Sequence, residues 1–148
     1  MQIVLVGVNH RTAPLELREK LAFTKDQLPE ALKALKCQVK GGVVLSTCNR
    51  TEIYTSLEDG ASDDPLKAFL GDFHSLPVEY FQRYLYTHQG KEAVRHLFRV
   101  AAGIDSMIVG EDQVLGQVRD AYSTALEAGQ LPSPLSTLFH SALRVGKL

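Results

Sequence analysis

The sequence predicts an α+β fold: a small, largely antiparallel sheet covered by helices and followed by an all-helical C-terminal part. Three observations carry this. Apolar or β-rich runs at residues 3–8, 43–45, 53–55 and 80–87 have strand length and are bounded by polar or glycine-containing turns. Between them, apolar residues recur at helical spacing. From Lys91 onward only the helical pattern remains. Strands interleaved with helices, then helices alone, belong to the α+β class.

Taken in order, residues 3–8 form a buried strand that runs into Asn9-His10-Arg11-Thr12-Ala13-Pro14. That turn closes with a proline suited to a helix's first turn, and Leu15, Leu17, Leu21 and Ala22 support a short helix. His10, at the strand end, either hydrogen-bonds the turn or reaches a site. Thr24 and Gln27 spell a capping box, with Phe23 and Leu28 as its hydrophobic staple. Leu28, Ala31, Leu32 and Leu35 give the stripe of the next helix, with Pro29 awkward inside it. Gly41-Gly42 separates this helix from the strand at 43–45. A polar loop at 58–65 precedes a helix marked by Leu66, Phe69, Leu70 and Phe73. Tyr84, Leu85 and Tyr86 make residues 80–87 a further strand.

In the helical part, Val94, Leu97, Phe98, Ala101 and Ala102 form a stripe, and His96 points nearly opposite it. His96 is therefore either solvated or aimed at something that covers the other face. Residues 103–113 link to the next helix, with polar side chains set between two glycines as in a segment that approaches a ligand closely. Leu115, Val118, Tyr122, Ala125 and Leu126 make the following stripe, while Gln113 and Gln117 share another face. Residues 128–132 stop that helix. Ser133 and Pro134 start the last one, which carries Leu135, Leu138, Phe139, Ala142 and Leu143. An amphipathic run reaching so near the last residue is expected of a fragment of a longer protein.

Composition narrows the function. Lysine and arginine number 16 against 17 acids, with no long run of either sign, so no general field for nucleic acid or anionic lipid is present. No apolar stretch is long enough to span a bilayer, and the start lacks the features of a signal peptide. Two cysteines are too few for a disulfide framework and suit a reducing, cytoplasmic setting. Dinucleotide, P-loop and zinc motifs are missing.

The stretch with chemistry is Val43-Val44-Leu45-Ser46-Thr47-Cys48-Asn49-Arg50-Thr51-Glu52-Ile53-Tyr54, read as two strands joined by a polar turn. Cys48 is either a small core residue, as free cysteines often are, or a nucleophile at a strand's mouth. A free thiol ionises near pH 8.5, and Arg50 beside it would favour the thiolate. Such a thiol suits acyl transfer from an activated ester better than proteolysis, because an alkoxide leaves more readily than an amide nitrogen.

Gly7-Val8-Asn9-His10-Arg11-Thr12-Ala13-Pro14, Ser46-Thr47-Cys48-Asn49-Arg50-Thr51-Glu52 and the block from Gly103 through Gln117 resemble the signature blocks of the glutamyl-tRNA reductase family, in its order and spacing. The resemblance implies an N-terminal catalytic domain spanning residues 1–148. In that family a cysteine attacks the aminoacyl ester of glutamyl-tRNA to give a thioester. NADPH then reduces the thioester to glutamate-1-semialdehyde for tetrapyrrole (porphyrin) synthesis. By position, Cys48 is the implied nucleophile and His96 the implied base or positioning group. Thr47, Asn49, Arg50, Ser106, Glu111, Asp112, Gln113 and Gln117 are the implied substrate-binding residues, with Arg50 suited to a carboxylate. No metal site is implied. NADPH-binding and dimerisation domains, a homodimeric full-length enzyme and contact with the downstream glutamate-1-semialdehyde aminomutase are further implications, none involving a membrane. Two other readings stand beside this one: a cysteine-dependent hydrolase of small esters, and a non-catalytic module that binds aminoacyl-tRNA or a protein.

Overall fold

In the computed structural model, residues 1–105, 113–129 and 131–146 are described. Four strands, β1 (Gln2–Asn9), β2 (Gly42–Ser46), β3 (Arg50–Leu57) and β4 (Tyr86–Gln89), form one sheet in the order β2-β3-β1-β4, antiparallel at every pairing. Strand alternation divides the side chains between two apolar layers. Val4, Val6, Val8, Val44 and Ile53 face one way, onto α1 (Leu15–Leu21), α2 (Leu28–Lys36), α3 (Asp64–His74) and α4 (Val78–Phe81). Ile3, Leu5, Val43, Leu45 and Tyr54 face the other way, onto α5 (Lys91–Ala101), α6 (Gln113–Ala128) and α7 (Ser133–Gly146). The expected class is therefore observed, and the C-terminal helices supply one of the two layers.

Most local signals appear where the residues predict them. The capping box forms reciprocally: Thr24 N–H donates to Gln27 Oε1 at 2.9 Å, and Gln27 N–H to Thr24 Oγ1 at 3.3 Å. It closes a turn just ahead of α2, so Pro29 falls in the first turn, where its missing N–H costs nothing. Three expectations shift. The strand expected at 80–87 is only Tyr86–Gln89, because Pro77 opens α4 and a 3-10 turn follows at Gln82–Tyr84. The polar turn is shorter than expected, since Arg50, Thr51 and Glu52 belong to β3 and are buried. The stripe of α5 is rotated: Ala93, Leu97, Val100 and Ala101 are buried, whereas Val94, Phe98 and Ala102 line an outward groove with Ile104 and Val145. The helix is apolar over a wide arc, which is why its phase is misread.

Phe139 of α7 ties the second layer together. Its ring meets Tyr54 edge-on at 5.3 Å and stacks on Tyr122 at 5.6 Å. Truncating a fully buried phenylalanine costs about 3–5 kcal/mol. Phe139→Ala should lower the unfolding free energy by that amount in urea titration. A change below about 1 kcal/mol would mean that α7 does not close this core.

Candidate active site

Cys48 and Asn49 form the tip of the β2–β3 hairpin. Thr47 N–H donates to Arg50 O at 2.8 Å to close it. Tight hairpins favour turns with positive φ, which match the strand twist; neither tip residue takes positive φ. Side chains hold the tip instead. Thr47 Oγ1 accepts from the N–H groups of Asn49 at 3.1 Å and Arg50 at 3.2 Å. Arg18 of α1 donates from NH1 to Cys48 O at 3.1 Å, with its Nε on Ala13 O at 3.1 Å. The result is an exposed thiol on an anchored turn. Burial of Cys48 as core filler is thereby overturned.

A small cleft of about 60 Å³ lies against this tip, and its walls include Thr47, Cys48, Asn49, Arg50, Gln113 and Gln117. Residues far apart in sequence thus meet around the thiol. Ser106, Glu111 and Asp112 lie outside the described residues. His96 does not line the cleft.

Behind the cleft sits a buried polar core. Arg50, Glu52 and Tyr54 alternate along β3, so all three project from the same face. Glu52 has no exposed surface, yet each carboxylate oxygen is satisfied. Oε1 accepts from Tyr54 OH at 2.7 Å. Oε2 accepts from Arg50 NH1 at 3.1 Å, Tyr86 OH at 2.5 Å and His96 Nε2 at 2.5 Å. Burial alone would raise the Glu52 pKa. The His96 hydrogen bond and the charges of His96 and Arg50 outweigh it and hold the carboxyl at about 2. Burial and the Glu52 charge push the Tyr54 and Tyr86 hydroxyls well above 10, so both remain donors. Burial, then the His96 charge, lowers the neighbouring His88, whose ring lies 5.0 Å from that of His96.

Arg50 is 2 % exposed. NH1 and NH2 each donate to Asp105 Oδ2 at 3.2 Å, and NH2 also reaches Asp105 O at 2.6 Å. Arg11 closes the set through Asp105 Oδ1 at 3.0 Å. Burial opposes the Arg50 charge, but Glu52, Tyr86 and Asp105 together raise its pKa. The guanidinium expected beside the thiol is thus engaged by protein carboxylates. Among the described residues, His10 Nδ1 is buried without a hydrogen-bond partner, and burial with the Arg11 and Arg50 charges lowers its pKa.

One glycine makes this arrangement possible. Gly7 of β1 pairs with Glu52 on one side and Tyr86 on the other. A Cβ there would lie 2.8 Å from Glu52 Cγ and 2.7 Å from Thr51 O. Glu52 reaches Tyr86 and His96 only because Gly7 leaves that space open.

The hub position of Glu52 and the contacts of Asp105, Tyr86 and Arg18 are not among the features the sequence predicts. The i, i+2, i+4 spacing of Arg50, Glu52 and Tyr54 is the signal that could have found part of it.

Two outcomes follow. The Glu52 carboxyl is depressed from 4.5 to about 2, so its stabilisation is complete above pH ~4.5 and is lost as pH falls towards ~2. The shift corresponds to about 3 kcal/mol, and Glu52→Gln should flatten that part of the stability profile when urea midpoints at pH 5 and pH 3 are compared. Gly7→Ala should cost about 1–3 kcal/mol through overpacking, and an unchanged urea midpoint would refute the crossing of Glu52 over Gly7.

With the geometry established, comparison with known proteins is specific. The family described as "Glutamyl-tRNAGlu reductase, N-terminal domain" matches residues 6–148. The glutamyl-tRNA reductase of Moorella thermoacetica is 51% identical over 150 residues, covering 99% of this chain and 34% of that protein. That of Geobacter sulfurreducens is 46% identical over 150 residues, covering 99% of this chain and 35% of the relative. The solved glutamyl-tRNA reductase from Methanopyrus kandleri superposes with a TM-score of 0.78 at 37% identity, over 98% of this chain and 33% of that one. The chain spans about a third of the length of these relatives. Matched along almost its entire length in sequence and in fold, the chain belongs to the glutamyl-tRNA reductase N-terminal domain family.

Proposed function

We infer that this chain is the acyl-accepting domain of a glutamyl-tRNA reductase, an NADPH-dependent enzyme making glutamate-1-semialdehyde for tetrapyrrole synthesis. The observation that carries the reading is the exposed Cys48 thiol at an anchored hairpin tip beside a polar cleft. The Cys48 thiolate attacks the carbonyl carbon of the glutamyl ester. The S–C bond forms, the ester C–O bond breaks, and the ribose alkoxide takes up a proton and departs with the tRNA. Thr47 shapes the turn, and Asn49, Gln113 and Gln117 offer amides to the glutamyl group. Ser106, Glu111 and Asp112 are proposed to contribute further contacts. His96 acts as a positioning residue, because its Nε2 is bound to Glu52, which in turn holds Arg50 behind the tip. Arg50 could accept a substrate carboxylate only where Asp105 gives way.

The described residues do not fit NADPH. Dinucleotide sites use the crossing point of a parallel sheet and a glycine-rich strand-to-helix turn, whereas this sheet is antiparallel at every pairing. No step of the reduction is assigned to them. No helix among the described residues is long and apolar enough to cross a membrane.

Incubation with glutamyl-tRNA labelled in the glutamate tests the thioester. The expected result is an acid-stable, hydroxylamine-labile label on the wild type and none on Cys48→Ser. Equal labelling of both proteins, or of neither, would refute the reading. Similar labelling by any small ester would favour a general hydrolase.

A further inference from the structure

β2 is an edge strand of the sheet, and α6 packs against it. A cleft of about 160 Å³ lies between them. Val44 and Leu45 both border it, although their side chains belong to opposite layers, so the cleft runs along the strand's edge and not over either face. The hairpin register decides what that edge presents. Thr47 and Arg50 form a hydrogen-bonded pair, so Leu45–Glu52 is the next such pair, and the backbone groups of Ser46 and Val44 turn away from β3. The C=O of Val44 and the N–H of Ser46 therefore sit side by side on the open edge. Neither has a protein partner among the described residues. Val44 is only 2 % exposed, and backbone groups so far from water are almost always paired.

We propose that this strand edge reads the adenine of the terminal adenosine of the RNA substrate while Cys48 receives its acyl group, an inference that rests on the thioester reading above. Adenine carries an amino group beside a ring nitrogen, a donor next to an acceptor. Val44 C=O accepts from the amino group, and Ser46 N–H donates to the ring nitrogen. A phosphate has nothing to offer that carbonyl. The walls suit a flat apolar ring: Phe23 and Leu28 border one side and Ala121 of α6 the other. Phe23 N–H donates to Ser46 Oγ at 2.9 Å, which ties that wall to the strand. The cleft is smaller than the ~300–1,000 Å³ that encloses a drug-sized ligand, so one ring system fills it. Its distance from the thiol is fixed by the chain. Gln117 borders both this cleft and the one at Cys48, and the adjacent Ser46 and Thr47 border one each. Leu45 and Cys48 are three residues apart, a span of at most ~11 Å. In the substrate about five bonds of ~1.5 Å join the base to the ester carbonyl, and a thiol in position to attack stands ~3–3.5 Å further on. The two lengths agree.

Three small substrates test the site: glutamate esterified to the 3′ hydroxyl of adenosine, of purine riboside, which lacks the amino group, and of the same ribose without a base. Labelling of Cys48 by the adenosine ester should be about ten- to a hundred-fold faster than by the base-free ester, as stacking and a two-point hydrogen-bonded edge predict. The purine riboside ester should fall between them. In Ala121→Leu, which narrows the cleft from the α6 side, the ratio should drop towards one while the base-free ester keeps its rate. A wild-type ratio near one, equal rates for the adenosine and purine riboside esters, or a high ratio surviving in Ala121→Leu overturns the proposal. The wild-type rates decide the matter even where the leucine variant fails to fold. Binding is read separately, as a shift of the Ser46 amide NMR resonance when adenosine is added to Cys48→Ser protein. An unmoved resonance means that the cleft holds only water, and it overturns the proposal. Label from none of the esters overturns the thioester reading alone, and the strand edge then stands or falls on that resonance.

Discussion

The structure depends on one buried carboxylate. Glu52 sits in the middle of an apolar sheet and is tolerated there because Tyr54, Tyr86, His96 and Arg50 all direct hydrogen atoms at it. A buried charge without such partners would neutralise itself or expel the strand. The partners come from β3 itself, from β4 and from α5, so the carboxylate joins the sheet to the helical layer above it. Arg50 extends the chain of contacts to Asp105, just after α5.

This polar core stops short of the thiol. The hairpin tip carries Cys48 into solvent, while the ion pairs lie underneath and behind it. Rigidity and reactivity are therefore assigned to different residues. Thr47 and Arg18 fix the path of the turn through backbone groups and leave the Cys48 side chain without a hydrogen-bonded partner among the described residues. Under the function proposed above, a thiol that meets a large external ester is better served by exposure on a stiff support than by burial in a prepared pocket.

Much of the fold could be read from local patterning. The capping box, the core positions of the last helix and the strand character of residues 3–8 all follow from nearest-neighbour chemistry. The candidate site was only half legible. Thr47, Cys48 and Asn49 announce themselves as a polar hairpin tip, and their meeting with Gln113 and Gln117 is consistent with the family's blocks. Local sequence places Arg50 and Glu52 in the turn, because charged side chains are seldom buried. What buries them is Asp105, 55 residues away from Arg50, and His96, 44 residues away from Glu52. No window of local sequence contains those pairs. The phase of α5 failed for a related reason: apolar residues cover two of its faces, and only tertiary packing decides which one enters the core.

The spacing of Arg50, Glu52 and Tyr54 has a consequence for how the chain finds its fold. If β3 slid by a single residue against β1, these side chains would swing to the opposite layer, among Val4, Val6, Val8 and the helices packed there. Tyr86 and His96, which receive Glu52, lie on the other side of the sheet, and the layer it would enter is built of apolar side chains around Phe23, Phe69 and Leu70. An apolar strand could survive such a slip as a low-lying alternative, but this one carries its own penalty for misalignment. The charges beneath the Cys48 turn therefore also act as a proofreading device during assembly, admitting the hairpin in one alignment and rejecting its neighbours.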